Sequence, residues 1–181
     1  PYITVDCSEY AQNEEKFAIS LCGSEEGKGW LAKANGGILF FDEIDRLPFS
    51  GQELIYSYLI SGQYKGYHDD EHIFESNARL VFSTTKVPAE TLYKPLARMI
   101  PIVIPVPTLH ERTADEKEEM LVSFLKAEGR RMGVDVSISQ NAFHCMLEFS
   151  YENNIDELKT CVTSSCAGAY LEKTSDGIAI H

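Results

Sequence analysis

Apolar residues gather in this chain at four short runs, and none of the four alternates with polar residues. "YITV" (Tyr2 to Val5), "ILFF" (Ile38 to Phe41), "RLVFST" (Arg79 to Thr84) and "IVIPV" (Ile102 to Val106) are β-branched or aromatic and apolar on both faces. A strand with one wet face alternates, whereas a strand covered on both sides does not, so these runs predict a parallel sheet flanked by helices. Between them the period lengthens. "SGQELIYSYLISG" opens with Ser50 as a capping residue, carries Leu54, Ile55, Tyr58 and Leu59 on one stripe, and stops at Gly62. Strands alternating with helices predict a doubly wound α/β layer.

After Pro107 the pattern turns helical. "TADEKEEMLVSFLKAEGRRMG" has Thr113 and Asp115 at its start and Lys126, Arg130 and Arg131 near its end, an order of charge that suits a helix dipole. "SISQNAFHCMLEFSY" and "NIDELKTCVTSSCAGAYLEK" continue the periodicity with no strand-like interruption. Residues 1–109 therefore read as an α/β subdomain and residues 110–181 as a small helical one.

Composition narrows the function classes. The chain has 181 residues, 44% of them hydrophobic and 24% charged, enough for a folded core. Its 16 basic and 28 acidic residues give a net charge of −12, which repels phosphate backbones, so direct contact with DNA is not expected. No apolar run approaches membrane-spanning length. Five scattered cysteines without a CxxC pair suit free thiols in a reducing cytoplasm, the expected location. "HDDEH" (His68 to His72) has the spacing of a helical metal pair, but its glycine-flanked setting reads as a solvated acidic turn.

The candidate chemistry lies in "GGILFFDEIDRLP", residues 36 to 48. Carboxylates at the carboxyl end of a parallel strand stand where open α/β sheets place their ligands. An apolar strand ending in Asp-Glu is the Walker B arrangement, in which Asp42 would hold Mg2+ through water and Glu43 would orient and polarise the water attacking a γ-phosphate. On these residues alone the alternative stays open: Asp42 and Glu43 are two solvated charges at a strand end.

The order of motifs adds to this. "GGILFFDEIDRLP" followed by "GQELIYSYLISGQY" resembles the AAA+ domains of bacterial enhancer-binding proteins that activate sigma-54 RNA polymerase. "NARLVFSTT" resembles the family's next strand, which implies a polar sensor at Thr84, with Thr85 where an asparagine is common. "ARMIPIVIPVPTLHER" resembles the segment with an arginine finger, matched by Arg98, then a closing strand and a Leu-x-Glu-Arg turn. "ENNIDELK" falls where Pro-Gly-Asn-x-Arg-Glu-Leu begins the last helix. The spacing of "TTKVPAETLYKPLARMIPIVI" and the opening "YITVDCSEY" are similar to the levanase-operon branch, whose members couple this module to phosphotransferase-system regulation domains. The resemblance implies a P-loop NTPase fold with a helical lid, ATP and Mg2+ as cofactors, sigma-54 RNA polymerase as partner, and self-association into a ring in which Arg98 serves a neighbouring subunit.

Four departures weigh against simple transfer. The Gly-x-x-x-x-Gly-Lys-Ser/Thr phosphate loop is not in the sequence. In the family its strand lies inside the sheet, so two unpaired edges are expected here, and the chain, which opens on Pro1, is expected to be part of a longer protein. The sigma-contacting Gly-Ala-Phe-Thr-Gly-Ala loop is also missing, because "SLCGSEEGKGWLAKANGG" passes directly from Leu21–Gly23 to the segment that comes after the loop in the family. Either that loop is lost or a flexible stretch near Gly23 is unrecorded. Asp156 replaces the sensor arginine, and a second finger position falls on Leu92. Two functions are compatible with this pattern: an ATPase module that remodels sigma-54 RNA polymerase but is not active as this chain alone, or a degenerate module acting as an oligomerising or regulatory scaffold.

Overall fold

Three of the four apolar runs pair side by side. The computed structural model describes residues 1–69, 71–172 and 177–181. They divide into two units, Pro1–Val103 and Ile104–His181.

The first unit runs β1 (Tyr2–Asp6), α1 (Glu14–Cys22), β2 (Gly23–Ser24), β3 (Gly27–Lys28), α2 (Trp30–Lys33), β4 (Ile38–Asp42), α3 (Phe49–Ser61), β5 (Gln63–Tyr64), β6 (Phe74–Glu75), β7 (Arg79–Phe82), α4 (Pro88–Thr91) and α5 (Lys94–Met99). The sheet has the order β1-β4-β7 and is parallel throughout. In register, Tyr2 lies beside Ile38, Asp6 beside Asp42, and Phe41 beside Phe82. The middle strand is the most apolar, as its position requires: Leu39 and Phe41 are fully buried. Phe41 stacks on Phe82 with ring centres 5.7 Å apart, and Phe17 of α1 meets Tyr10 and Trp30 edge-on. Removing each such side chain from water stabilises the fold by about 1.5–3 kcal/mol. The two glycines before "ILFF" have separate reasons. Gly36 turns the chain at φ 73, and a Cβ on Gly37 would lie 1.9 Å from the Pro1 carbonyl oxygen, so backbone packs on backbone as β4 enters the sheet.

The helix after the acidic pair starts at Phe49, not after a capping Ser50. Pro48 occupies the cap position in an extended conformation and its carbonyl accepts from the Gln52 N–H at 3.2 Å, which leaves Ser50 inside the first turn. Of the expected stripe, Ile55 and Tyr58 are buried, while Leu54 is exposed; Gly62 ends the helix at φ 68, as expected. Gln52 is buried and satisfied: its Nε2 donates to the Leu47 carbonyl at 2.9 Å and its Oε1 accepts from the Tyr93 N–H at 2.8 Å.

"IVIPV" is not a strand. Ile102, Val103, Ile104 and Val106 are between 63% and 78% exposed, and no strand pairs with them among the described residues. The outer edge of β7 is likewise unpaired there. An apolar run becomes a strand only beside a neighbour, and the expected interior strand is not in this sequence. The region near Gly23 forms a continuous tight hairpin, β2 against β3. Its neck is backbone on backbone: a Cβ on Gly29 would lie 2.3 Å from the Gly23 nitrogen.

The second unit runs α6 (Ala114–Met132), β8 (Val136–Ile138), α7 (Gln140–Glu148), α8 (Asn154–Tyr170) and β9 (Ile178–Ile180). Thr113 caps α6 in a reciprocal box with Glu116, and Arg130 and Arg131 lie in its last turn, as its charge order predicts. The expectation of an uninterrupted helical region is corrected by β8 and β9, a parallel pair whose Ile178 and Ile180 are buried with Leu121, Leu158 and Val162. Three residues of alternation are too short to outweigh the helical pattern around them. All five cysteines are free thiols. "HDDEH" is a loop in which Asp69 accepts from the Glu71 and His72 amides; Asp70 lies outside the described residues. Among the described residues no helix is long and apolar enough to cross a membrane.

Candidate functional site

β1 and β4 end in register on Asp6 and Asp42, so two carboxylates leave the sheet at one edge. They are held differently. Asp6 serves its own chain: Oδ1 accepts from the Ser8 amide at 2.9 Å and the Ser8 hydroxyl at 2.6 Å, and these bonds hold its carboxyl below the usual range. Asp42 is held from the neighbouring strand. The Ser83 hydroxyl, one residue beyond β7, donates to its Oδ1 and accepts the Glu43 N–H at 3.1 Å. The Ser83 backbone adds two more bonds, its N–H to the Phe41 carbonyl at 2.9 Å and its carbonyl from the Ile44 N–H at 3.0 Å.

Between these attachments Glu43 sits in the left-handed region, at φ 51 and ψ 51. For a residue other than glycine, asparagine or aspartate this costs about 1–2 kcal/mol, and such outliers concentrate where geometry serves function. Its half-buried carboxylate has the Arg46 guanidinium 3.6 Å away. A third carboxylate, Asp45, accepts from the Thr84 hydroxyl at 2.5 Å, and Thr84 in turn accepts from the Lys86 N–H at 3.1 Å. The joint negative field is felt beneath the strand end. Burial, then the charges of Asp6, Asp42, Asp45 and Glu43, push the Cys7 thiol up to about 12.

Asp42, Glu43 and Thr84 are thus brought together, along with Ser83 and Asp45, which the motif pattern alone did not single out. The missed signal was positional: with Phe41 beside Phe82, the next residue on β7's path faces Asp42. Thr85 comes next and is exposed. Arg98 is exposed on α5 and joins none of these bonds. Leu92 is a core residue at 3% exposure and offers no finger position. Asp156 lies exposed in the first turn of α8. Nearby, Asn154 takes φ 60 and its Oδ1 accepts the Leu109 N–H at 2.6 Å.

Asp42, one oxygen fixed by Ser83 at an exposed strand end, is an oxygen donor of the kind a hard divalent cation takes through water. Among the described residues, however, no group of three or more His, Cys, Asp and Glu side chains is arranged to hold a metal ion. A phosphate-cradling glycine-rich loop is not among these residues.

A parallel sheet with helices, its acidic pair leaving the carboxyl end of the middle strand, is an α/β layer with its candidate site at the strand ends. The chain belongs to the sigma-54 interaction domain family, whose model matches residues 1–98. It is similar to transcriptional regulatory protein LevR of Bacillus subtilis, with 32% identity over 180 residues covering 94% of this chain and 19% of LevR. Transcriptional regulatory protein DagR of Salmonella typhimurium is 31% identical over 179 residues, again covering 94% of this chain and 19% of DagR. The chain therefore spans less than a fifth of the length of these relatives. A crystal structure of NtrX from Brucella abortus in complex with ATP shares the fold, with a TM-score of 0.80 at 22% identity over 99% of this chain and 43% of that one.

Proposed function

We propose that this chain is the ATPase module of a sigma-54-dependent transcriptional activator of the levanase-operon type, acting in the cytoplasm. In the full-length protein it would couple ATP hydrolysis, within a ring of subunits, to remodelling of sigma-54 RNA polymerase. The observation that carries the reading is the acidic strand end: Asp42 fixed by Ser83, and Glu43 left-handed and half-buried beside it. Family membership and the ATP complex of NtrX support nucleotide as the ligand class.

Each residue has a role in that reading. Asp42 would hold Mg2+ through water, and the ion would supply neutralising charge for the phosphates. Glu43 would orient the attacking water and accept its proton. Thr84 and Thr85 form the polar sensor; the Thr84 hydroxyl, now given to Asp45, must leave that bond to reach a phosphate. Arg98, exposed on its short helix, acts on the site of a neighbouring subunit. The sequence holds no phosphate loop, so the chain alone is expected to bind ATP negligibly by titration calorimetry.

The test is steady-state phosphate release alongside nucleotide affinity in the full-length protein, phosphate loop included. Glu43→Gln keeps shape and polarity but cannot act as a base, so turnover falls about a hundred- to ten-thousand-fold while ATP still binds. Asp42→Asn weakens Mg2+-dependent binding as well. Turnover unchanged in both variants overturns the reading. A second reading, a scaffold that assembles without hydrolysis, is supported by the short β2–β3 hairpin, where the resemblance implies a longer sigma-contacting loop, and by Asp156, where it implies an arginine. Rings that form with no phosphate release from the wild type would establish it.

A further inference from the structure

We infer that Ser83 is a positioning residue for hydrolysis, its hydroxyl setting the geometry of both members of the acidic pair. The inference rests on the hydrolase reading. A serine hydroxyl has one proton and two acceptor lone pairs. Here the proton goes to Asp42 Oδ1 and a lone pair takes the Glu43 N–H, so one side chain is bonded to two consecutive residues. The first bond fixes the plane of the Asp42 carboxylate and leaves its other oxygen for a cation or its water. The second satisfies an amide that has left the ladder, because β7 ends at Phe82 and Glu43 has turned left-handed. Without it the Glu43 N–H has no other hydrogen-bond partner among the described residues, and the side chain it carries loses a reference point.

The arrangement allows a clean test, since the hydroxyl can be removed without touching the backbone. The Ser83 N–H to the Phe41 carbonyl and the Ile44 N–H to the Ser83 carbonyl need no side chain, and the neighbouring Thr84–Asp45 bond is separate. Ser83→Ala therefore removes only the two side-chain bonds. Thr at this position restores a hydroxyl.

In the full-length protein, Ser83→Ala is expected to raise the Mg2+ concentration for half-maximal hydrolysis about tenfold and lower kcat about tenfold, the scale of one lost hydrogen bond to a charged group. The KM for ATP at saturating Mg2+ stays within about twofold. A readout independent of turnover accompanies it: Mn2+ binding in the presence of a non-hydrolysable ATP analogue, followed by electron paramagnetic resonance, weakens by about the same factor. Ser83→Thr returns both quantities to within about threefold of wild type. Ser83→Ala with metal dependence and kcat unchanged, while Glu43→Gln collapses turnover, overturns the inference and leaves the hydrolase reading standing. A loss of kcat that tracks a lower thermal midpoint and is not restored by Thr assigns Ser83 to packing and also overturns it. If turnover survives Asp42→Asn, Glu43→Gln and Ser83→Ala alike, both the reading and the inference fall.

Discussion

The same acidic pair occurs twice in this chain between apolar neighbours, as "FDEI" at residues 41–44 and "IDEL" at residues 155–158. In the first unit the groups that hold it come from another strand: Ser83 is 41 positions from Asp42, and Thr84 is 39 positions from Asp45. In the second unit the pair begins α8, and Glu157 accepts the Asn153 N–H, four positions away, at 2.8 Å. Asp156 and Glu157 face the positive end of their own helix and are used there. The Asp42 carboxylate and the Glu43 amide are held by one neutral hydroxyl from another strand, and only the Glu43 carboxylate meets a cation, Arg46 at 3.6 Å, so the charge of Asp42 is oriented without an ion-pair partner among the described residues. Long-range attachment with charge left over marks a candidate site. Local attachment that consumes the charge marks a helix cap.

The strongest way to break this contrast is to make the same substitution in both places. In the full-length protein Glu43→Gln is expected to lower phosphate release about a hundred- to ten-thousand-fold, and Glu157→Gln to leave it within about twofold, as surface changes usually do. A comparable loss from both would mean that the pair in α8 also acts in hydrolysis, and the contrast would fail.

Next in size is the floor beneath the first pair. Phe41 is fully buried between Phe82 and Phe17, and Phe41→Ala is expected to cost about 3–5 kcal/mol in denaturant unfolding. A cost under about 1 kcal/mol would show that the strand end does not rest on a close-packed core.

How far these features are legible in the sequence varies with the distance over which they are determined. β1, β4 and β7 are legible because each is apolar on both faces and finds its partner within the chain. Ile102–Val106 carries the same signal and pairs with nothing among the described residues, since a pattern records what a strand needs but not whether the neighbour is present. Asp42, Glu43 and Thr84 are reached through motif order. Ser83 and Asp45 are not, because their bonds depend on sheet register and on a left-handed glutamate that no local propensity suggests.

A smaller effect reports the burial of Cys7 beneath the strand ends, with the charges of Asp6, Asp42, Asp45 and Glu43 adding to it. With its pKa raised from 9.0 to about 12, the folded state keeps this thiol neutral where the unfolded chain ionises it. Its contribution to stability is therefore fully present below about pH 9 and is lost as pH rises toward about 12. The stability gap between wild type and Cys7→Ala should narrow over that window in denaturant titrations at stepped pH. At pH 8 only about one Cys7 in ten thousand is a thiolate, so iodoacetamide should modify exposed Cys145 well before it. Rapid alkylation of Cys7 in the folded protein would contradict both its burial and the field above it.

The smallest effect tests the other half of the contrast. If Asp156 and Glu157 only complete the start of α8, neutralising them costs helix stability and nothing else. Glu157→Gln keeps an acceptor for the Asn153 N–H but removes a charge from the positive end of the helix, a change of about 0.3–1 kcal/mol at low ionic strength. The charge part of that cost is screened by salt, so the difference from wild type should shrink between low salt and about 1 M, where the Debye length falls to about 3 Å. Paired denaturant titrations of the full-length protein at the two salt concentrations, following the transition that includes α8, measure it. A cost that does not respond to salt would assign Glu157 a hydrogen-bonding role alone. A cost of several kcal/mol would mean that its carboxylate, like that of Asp42, is held by more than its own helix.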